Sequence, residues 1–110
     1  MTSIELREAL RQMLAVLEEE RQALAGLDLD AIVGAANDKN RLCGTLDAGV
    51  DGEIDEECRG MLDAAKRLNE VNRQVRNLIA ANVSARLNAL TGSPQLYRAG
   101  PRYGYAGGRA

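Results

Sequence analysis

The chain has 110 residues, 45% of them hydrophobic and 27% charged, which is enough for one domain and too few for two independent ones. His, Phe and Trp are absent and the three Tyr (Tyr97, Tyr103, Tyr105) all lie near the C-terminus, so the core is aliphatic, as in packed helices. The lack of His excludes Ser-His-Asp and Cys-His nucleophiles, His-ligated metal sites and the commonest general base. The net charge of -2 is unevenly placed: residues 1–90 hold 11 Lys/Arg against 16 Asp/Glu, whereas residues 91–110 hold Arg98, Arg102 and Arg109 and no acid. An acidic body of this kind offers no basic stripe to a nucleic-acid backbone, and no nucleic-acid partner is expected.

The first eight residues are already charged and contain no apolar core of signal-peptide length. The longest run of apolar residues and glycine, Ala31 to Ala36, is far below the ~20 residues a membrane span needs, so a cytoplasmic protein without membrane insertion is expected. Pro is missing from residues 1–93, and apolar residues recur there at spacings of three and four. Thr2 and Glu5 have capping-box spacing and open a first helix, predicted over 3–25. Its stripe is Leu6, Leu10, Met13, Leu17, Leu24 and Leu27, interrupted by Glu20, and Gly26 is suited to the left-handed position that ends it. Asp28 or Asp30 caps a second helix, predicted over 29–47, with stripe residues Leu29, Ile32, Ala36, Lys39, Cys43 and Leu46. The second stripe is out of phase with the first by about 200°, so the chain must turn between them. Gly34 and Gly44 weaken this helix.

The stretch Asp47 to Glu53 reads as a loop, and its acids suit the N-terminus of a third helix, predicted over 53–91. The third stripe is Ile54, Cys58, Met61, Ala65, Leu68, Asn72, Val75, Ile79, Asn82, Arg86 and Ala89. Gly92 and Pro94 stop it, and the remaining residues, with five Gly and both Pro, predict a flexible tail. The expected fold class is therefore all-α, an elongated antiparallel three-helix bundle spanning 1–91, with a Gly/Tyr/Arg tail over 92–110.

The residues that invite chemistry each have a plainer reading. Asp51, Glu53, Asp55, Glu56 and Glu57 fail the EF-hand pattern because Glu56 stands where a Gly is required, leaving an acidic helix start and no metal site. Glu18, Glu19 and Glu20 read as a solvated face. Cys43 and Cys58 lack C-x-x-C spacing and fall on apolar stripes, which predicts two buried thiols in a reducing compartment. Lys39 is placed to snorkel, to pair with an acid such as Glu20, or to contact an anionic ligand. Asn72 and Asn82 interrupt the third stripe: buried, they fix register; exposed, they mark an open seam.

In order along the chain stand Leu14-x-x-Leu17-x-x-Glu20-Arg21-x-Ala23-Leu24, Asp28-x-x-x-Ile32, Lys39-x-x-Leu42-x-x-x-Leu46, Asn72-x-x-x-x-x-Leu78-Ile79, Leu87-x-x-Leu90, and Leu96-Tyr97 followed by Gly100. This order resembles the FlgN family of flagellar type III export chaperones over nearly the whole chain. Val75-Arg76 replaces the family's usual Asn-Gly, and Arg98-Ala99-Gly100-Pro101 replaces its Gly-Ala-Asp-Gly. The resemblance implies a cofactor-free cytoplasmic chaperone that holds hook-associated proteins of the hook-filament junction and delivers them to the cytoplasmic domain of the flagellar export gate. It implies gate contact through Tyr97. An amphipathic cargo helix is expected on the open seam of the third helix, at Val75, Leu78, Ile79, Asn82, Val83 and Leu87. Two alternatives stand beside it. One is a homo-oligomeric coiled-coil adaptor. The other is a small all-helical chorismate mutase, similar in length, with Arg7, Arg11 and Lys39 as a dicarboxylate clamp, although acids from Asp47 to Glu57 occupy the place of its second cationic cluster.

Overall fold

Thr2 starts the first helix by a reciprocal exchange: its Oγ1 accepts the Glu5 N–H at 3.2 Å, and Glu5 Oε1 accepts the Thr2 N–H at 2.8 Å. Residues 1–92 of the protein are described by a computed structural model and are all-helical, as the periodicity predicts: α1 (Ser3–Gly26), α2 (Leu29–Leu46) and α3 (Glu56–Leu90). The tail expected over 92–110 lies outside the described residues apart from Gly92.

The end of α1 corrects the expectation at Gly26. Gly26 is the last helical residue, and Leu27 takes the left-handed conformation, with φ 53° and ψ 38°. The Asp28 N–H donates to the Ala23 carbonyl at 3.0 Å and the Leu27 N–H to that of Leu24 at 3.2 Å, the paired bonds of a Schellman ending, which fix the register one residue beyond the glycine. Asp28 then caps α2, its Oδ1 accepting the Ala31 N–H. Asp55 does the same for α3, accepting the Cys58 N–H at 2.8 Å, and therefore α3 begins at Glu56, three residues later than predicted.

α1 supplies most of the core, through Leu6, Ala9, Leu10, Met13, Val16, Leu17, Ala23 and Leu24. One cluster joins Met13, Val16 and Leu17 to Ala35 and Leu42 of α2 and Ala65 of α3. A second joins Leu6 and Leu10 to Cys58, under Val50 and Ile54 of the α2–α3 loop. The closest backbone approach is between α1 and α2. α1 and α3 run parallel, since Arg7 meets Asp55 near their starts and Glu20 meets Arg76 farther on; α2 runs against both. The face of α2 that turns inward is Ile32, Ala35, Lys39, Leu42 and Leu46. Ile32, Lys39 and Leu46 of the predicted stripe lie on it, but at two steps the more deeply buried residue is the one before the predicted residue: Ala35 in place of Ala36, which is half-buried, and Leu42 in place of Cys43. Cys43 is thereby exposed, against expectation, and Cys58 is fully buried.

The described residues divide into two compact units, one spanning Met1–Arg76 and a second that begins at Asn77. All the buried residues named above belong to the first. In the second, residues 77–90 form the last turns of α3 and expose Leu78, Val83, Leu87 and Leu90. No helix among the described residues is long and apolar enough to cross a membrane.

Candidate functional site

Within the first unit, one carboxylate gathers all three helices. Glu20, only 2% exposed, accepts Lys39 Nζ of α2 at 3.1 and 3.2 Å, Asn72 Nδ2 of α3 at 2.9 Å and Arg76 Nη1 of α3 at 2.8 Å. Lys39 also donates to Asn69 Oδ1 at 2.9 Å. Asn69, Asn72 and Arg76 follow the three-four spacing of one helix face, so a single polar patch of α3 meets the middle of the bundle. The Asn72 amide donates additionally to the Leu17 main-chain carbonyl at 3.0 Å, while its buried Oδ1 accepts no hydrogen bond from the described residues. The expectation that Glu20 belongs to a solvated face is therefore corrected. Of the three roles open to Lys39, the structure shows the pairing with Glu20.

A carboxylate left unpaired at such burial would be strongly destabilising, and two cations plus a neutral amide offset its desolvation. The arrangement is geometrically selective: shifting α3 by one turn, about 5.4 Å, would carry Asn72 and Arg76 away from Glu20 and Asn69 away from Lys39. Its evident effect is to set the register of α3 against the α1–α2 pair.

The start of the bundle holds a second ionic cluster. Arg7 Nη2 donates to Asp55 Oδ2 at 2.8 Å, and Arg7 Nε lies 2.8 Å from Glu57 Oε1, an ion pair whose angle falls outside hydrogen-bond geometry. Arg11 reaches Glu57 at 3.5 Å. The Cys58 N–H, followed by its thiol and Arg7, holds the Asp55 carboxyl below its ordinary range. Burial, reinforced by Asp55, pushes the Cys58 thiol up. Arg7, Arg11 and Lys39, the three cations considered as a dicarboxylate clamp, thus face carboxylates of the chain itself.

The predicted docking residues divide by exposure. Leu78 is 66% exposed, Val83 50% and Leu87 53%. Asn82 is also exposed, whereas Val75 in the first unit and Ile79 in the second are half-buried. Leu90, outside the predicted set, is 83% exposed and stands one helical step from Leu87 and two from Val83. Its three-four spacing from them was the available signal. The two asparagines separate as well: Asn72 is buried and fixes register, Asn82 faces solvent. Tyr97 lies outside the described residues.

Comparison with family models, with curated proteins and with solved structures finds no match for this chain.

Proposed function

We propose that the chain is an export chaperone of the FlgN kind, holding hook-associated proteins of the hook-filament junction in the cytoplasm and passing them to the cytoplasmic domain of the flagellar export gate. The observation that carries this reading is the solvent-exposed aliphatic row Val83, Leu87 and Leu90 on one face of the last turns of α3, with Leu78 exposed on another face. An amphipathic cargo helix laid on that row would bury about 1.5 kcal/mol or more of transfer free energy per side chain. A binding role without catalysis is further supported by Arg7, Arg11 and Lys39 being engaged by Asp55, Glu57 and Glu20.

The test is a titration of the full chain with a hook-associated protein. Replacing Val83 and Leu87 together with Ser should weaken cargo binding by roughly 100-fold, while the melting temperature moves little because both side chains are already exposed. Unchanged affinity would remove this surface as the cargo site. Gate contact through Tyr97 is a separate part of the proposal: Tyr97→Ala should weaken gate binding by roughly 30-fold and leave cargo affinity unaffected.

A second reading, the homo-oligomeric adaptor, is favoured by the coiled-coil spacing of Ala80, Val83, Leu87 and Leu90. Sedimentation of the chain without cargo separates the two, since an adaptor self-associates through this row and a chaperone waits for its client.

A further inference from the structure

A single charge sits inside the exposed aliphatic row. Arg86 is exposed and stands three residues after Val83 and four before Leu90, so the three share one helix face. The other arginines described after residue 70 have acidic partners: Arg73 meets Glu70 at 2.6 Å and Arg76 meets Glu20 at 2.8 Å. None of the ion pairs among the described residues includes Arg86. Its nearest acid along the chain is Glu70, sixteen positions earlier; residues 71–110 contain six Arg and no Asp or Glu.

A partner that covers Val83, Leu87 and Leu90 takes Arg86 at least partly out of water. A cation desolvated without an anion is strongly disfavoured, so the covering surface must bring one. A second copy of this segment brings none, and pairing two copies sets arginine near arginine. We therefore propose that the face formed by Val83, Arg86, Leu87 and Leu90 takes an amphipathic helix of a different protein, one that carries Asp or Glu beside its apolar stripe. This inference rests on the helix-docking reading above and adds the charge class of the partner.

Two synthetic helical peptides with the same leucine stripe, one flanked by Glu and one by Lys, test it by fluorescence anisotropy against the full chain. The Glu peptide should bind about tenfold more tightly at low ionic strength, with the difference shrinking as salt rises. Arg86→Glu in the full chain should reverse the order of the two peptides, and Leu87→Ser should weaken binding of the Glu peptide. Circular dichroism verifies that both variants remain helical. Equal affinities, or tighter binding of the Lys peptide, would overturn the charge assignment, and would leave apolar docking standing where Leu87→Ser still weakens binding. Failure of both peptides to bind would overturn docking as well. Dimers in sedimentation that dissociate on Leu87→Ser would assign the face to a second copy and overturn the proposal.

Discussion

The Asn72 side-chain amide of α3 donates to the Leu17 main-chain carbonyl in the middle of α1, 3.0 Å away, across a fully buried contact. A helix carbonyl already accepts from within its own helix, so this second bond is a tertiary one. The same amide nitrogen reaches Glu20 Oε1 at 2.9 Å. Asn72→Ala should lower unfolding stability by about 2 kcal/mol through a small cavity and a lost donor. Asn72→Asp should cost more, because it sets a second carboxylate against Glu20. Urea unfolding of the two variants checks the order, and an Asp variant as stable as the Ala variant would show that the contact is not fully desolvated.

Glu20 holds Lys39 and Arg76 together, so its removal strands two cations with side-chain exposures of 17% and 37%. Glu20→Leu alone should cost about 3 kcal/mol, whereas combining it with Lys39→Met and Arg76→Leu should recover most of that loss. Denaturant midpoints of the single and triple variants measure the difference. A triple variant no more stable than the single one would mean that the ions contribute net stability and not only register.

Leu27 holds φ 53° with its side chain 66% exposed, so nothing in packing compensates the left-handed backbone of a residue with a Cβ. Leu27→Gly should raise stability by about 0.5–1 kcal/mol. Thermal unfolding detects this as an increase of a few degrees, and a decrease would show that the exposed leucine contributes contacts not evident from its exposure.

The Asp55 carboxyl titrates below its ordinary value, mainly through the Cys58 N–H. The native state therefore binds this proton less readily than the unfolded chain, and the associated stability is present above the ordinary value near 3.9 and is lost as pH falls through the lower native one. Glu5, Glu18 and Glu70 shift in the same direction, through Thr2, Arg21 and Arg73. Stability measured from pH 6 down to pH 2 should fall most steeply below about pH 4, and Asp55→Asn should shallow that slope.

The two thiols should react in two phases. Exposed Cys43 is modified by a thiol reagent in the native protein, while Cys58 waits for unfolding. The thiol of Cys58 is pushed up by burial, so the native state retains its proton more tightly and stability declines as pH climbs above the ordinary cysteine value near 8.5. A count of one reactive thiol without denaturant and two with it is the expected readout.

The helices themselves were legible in the sequence because their determinants are local. The Thr2–Glu5 exchange acts over three residues, apolar spacing acts over one or two turns, and Asp28 caps from beside its helix. Those signals predicted three helices and an all-α fold, with boundaries displaced by one to three residues where a neighbouring residue made the better cap. Tertiary structure alone decided which of two adjacent residues turned inward, as with Leu42 over Cys43 and Ala35 over Ala36, because either member of such a pair keeps the three-four spacing with Ile32, Lys39 and Leu46 and only the packing against α1 and α3 selects between them. It also decided that Glu20, one of three consecutive glutamates, would be buried: its donors Lys39, Asn72 and Arg76 lie 19 to 56 residues away, and a charge enters a core only when distant partners arrive with it. The last turns of α3 lay between these cases, since Asn82 and Arg86 marked them in the sequence as a poor seam, but spacing alone does not tell that Leu78, Val83, Leu87 and Leu90 are exposed, because a buried and an exposed leucine follow the same periodicity.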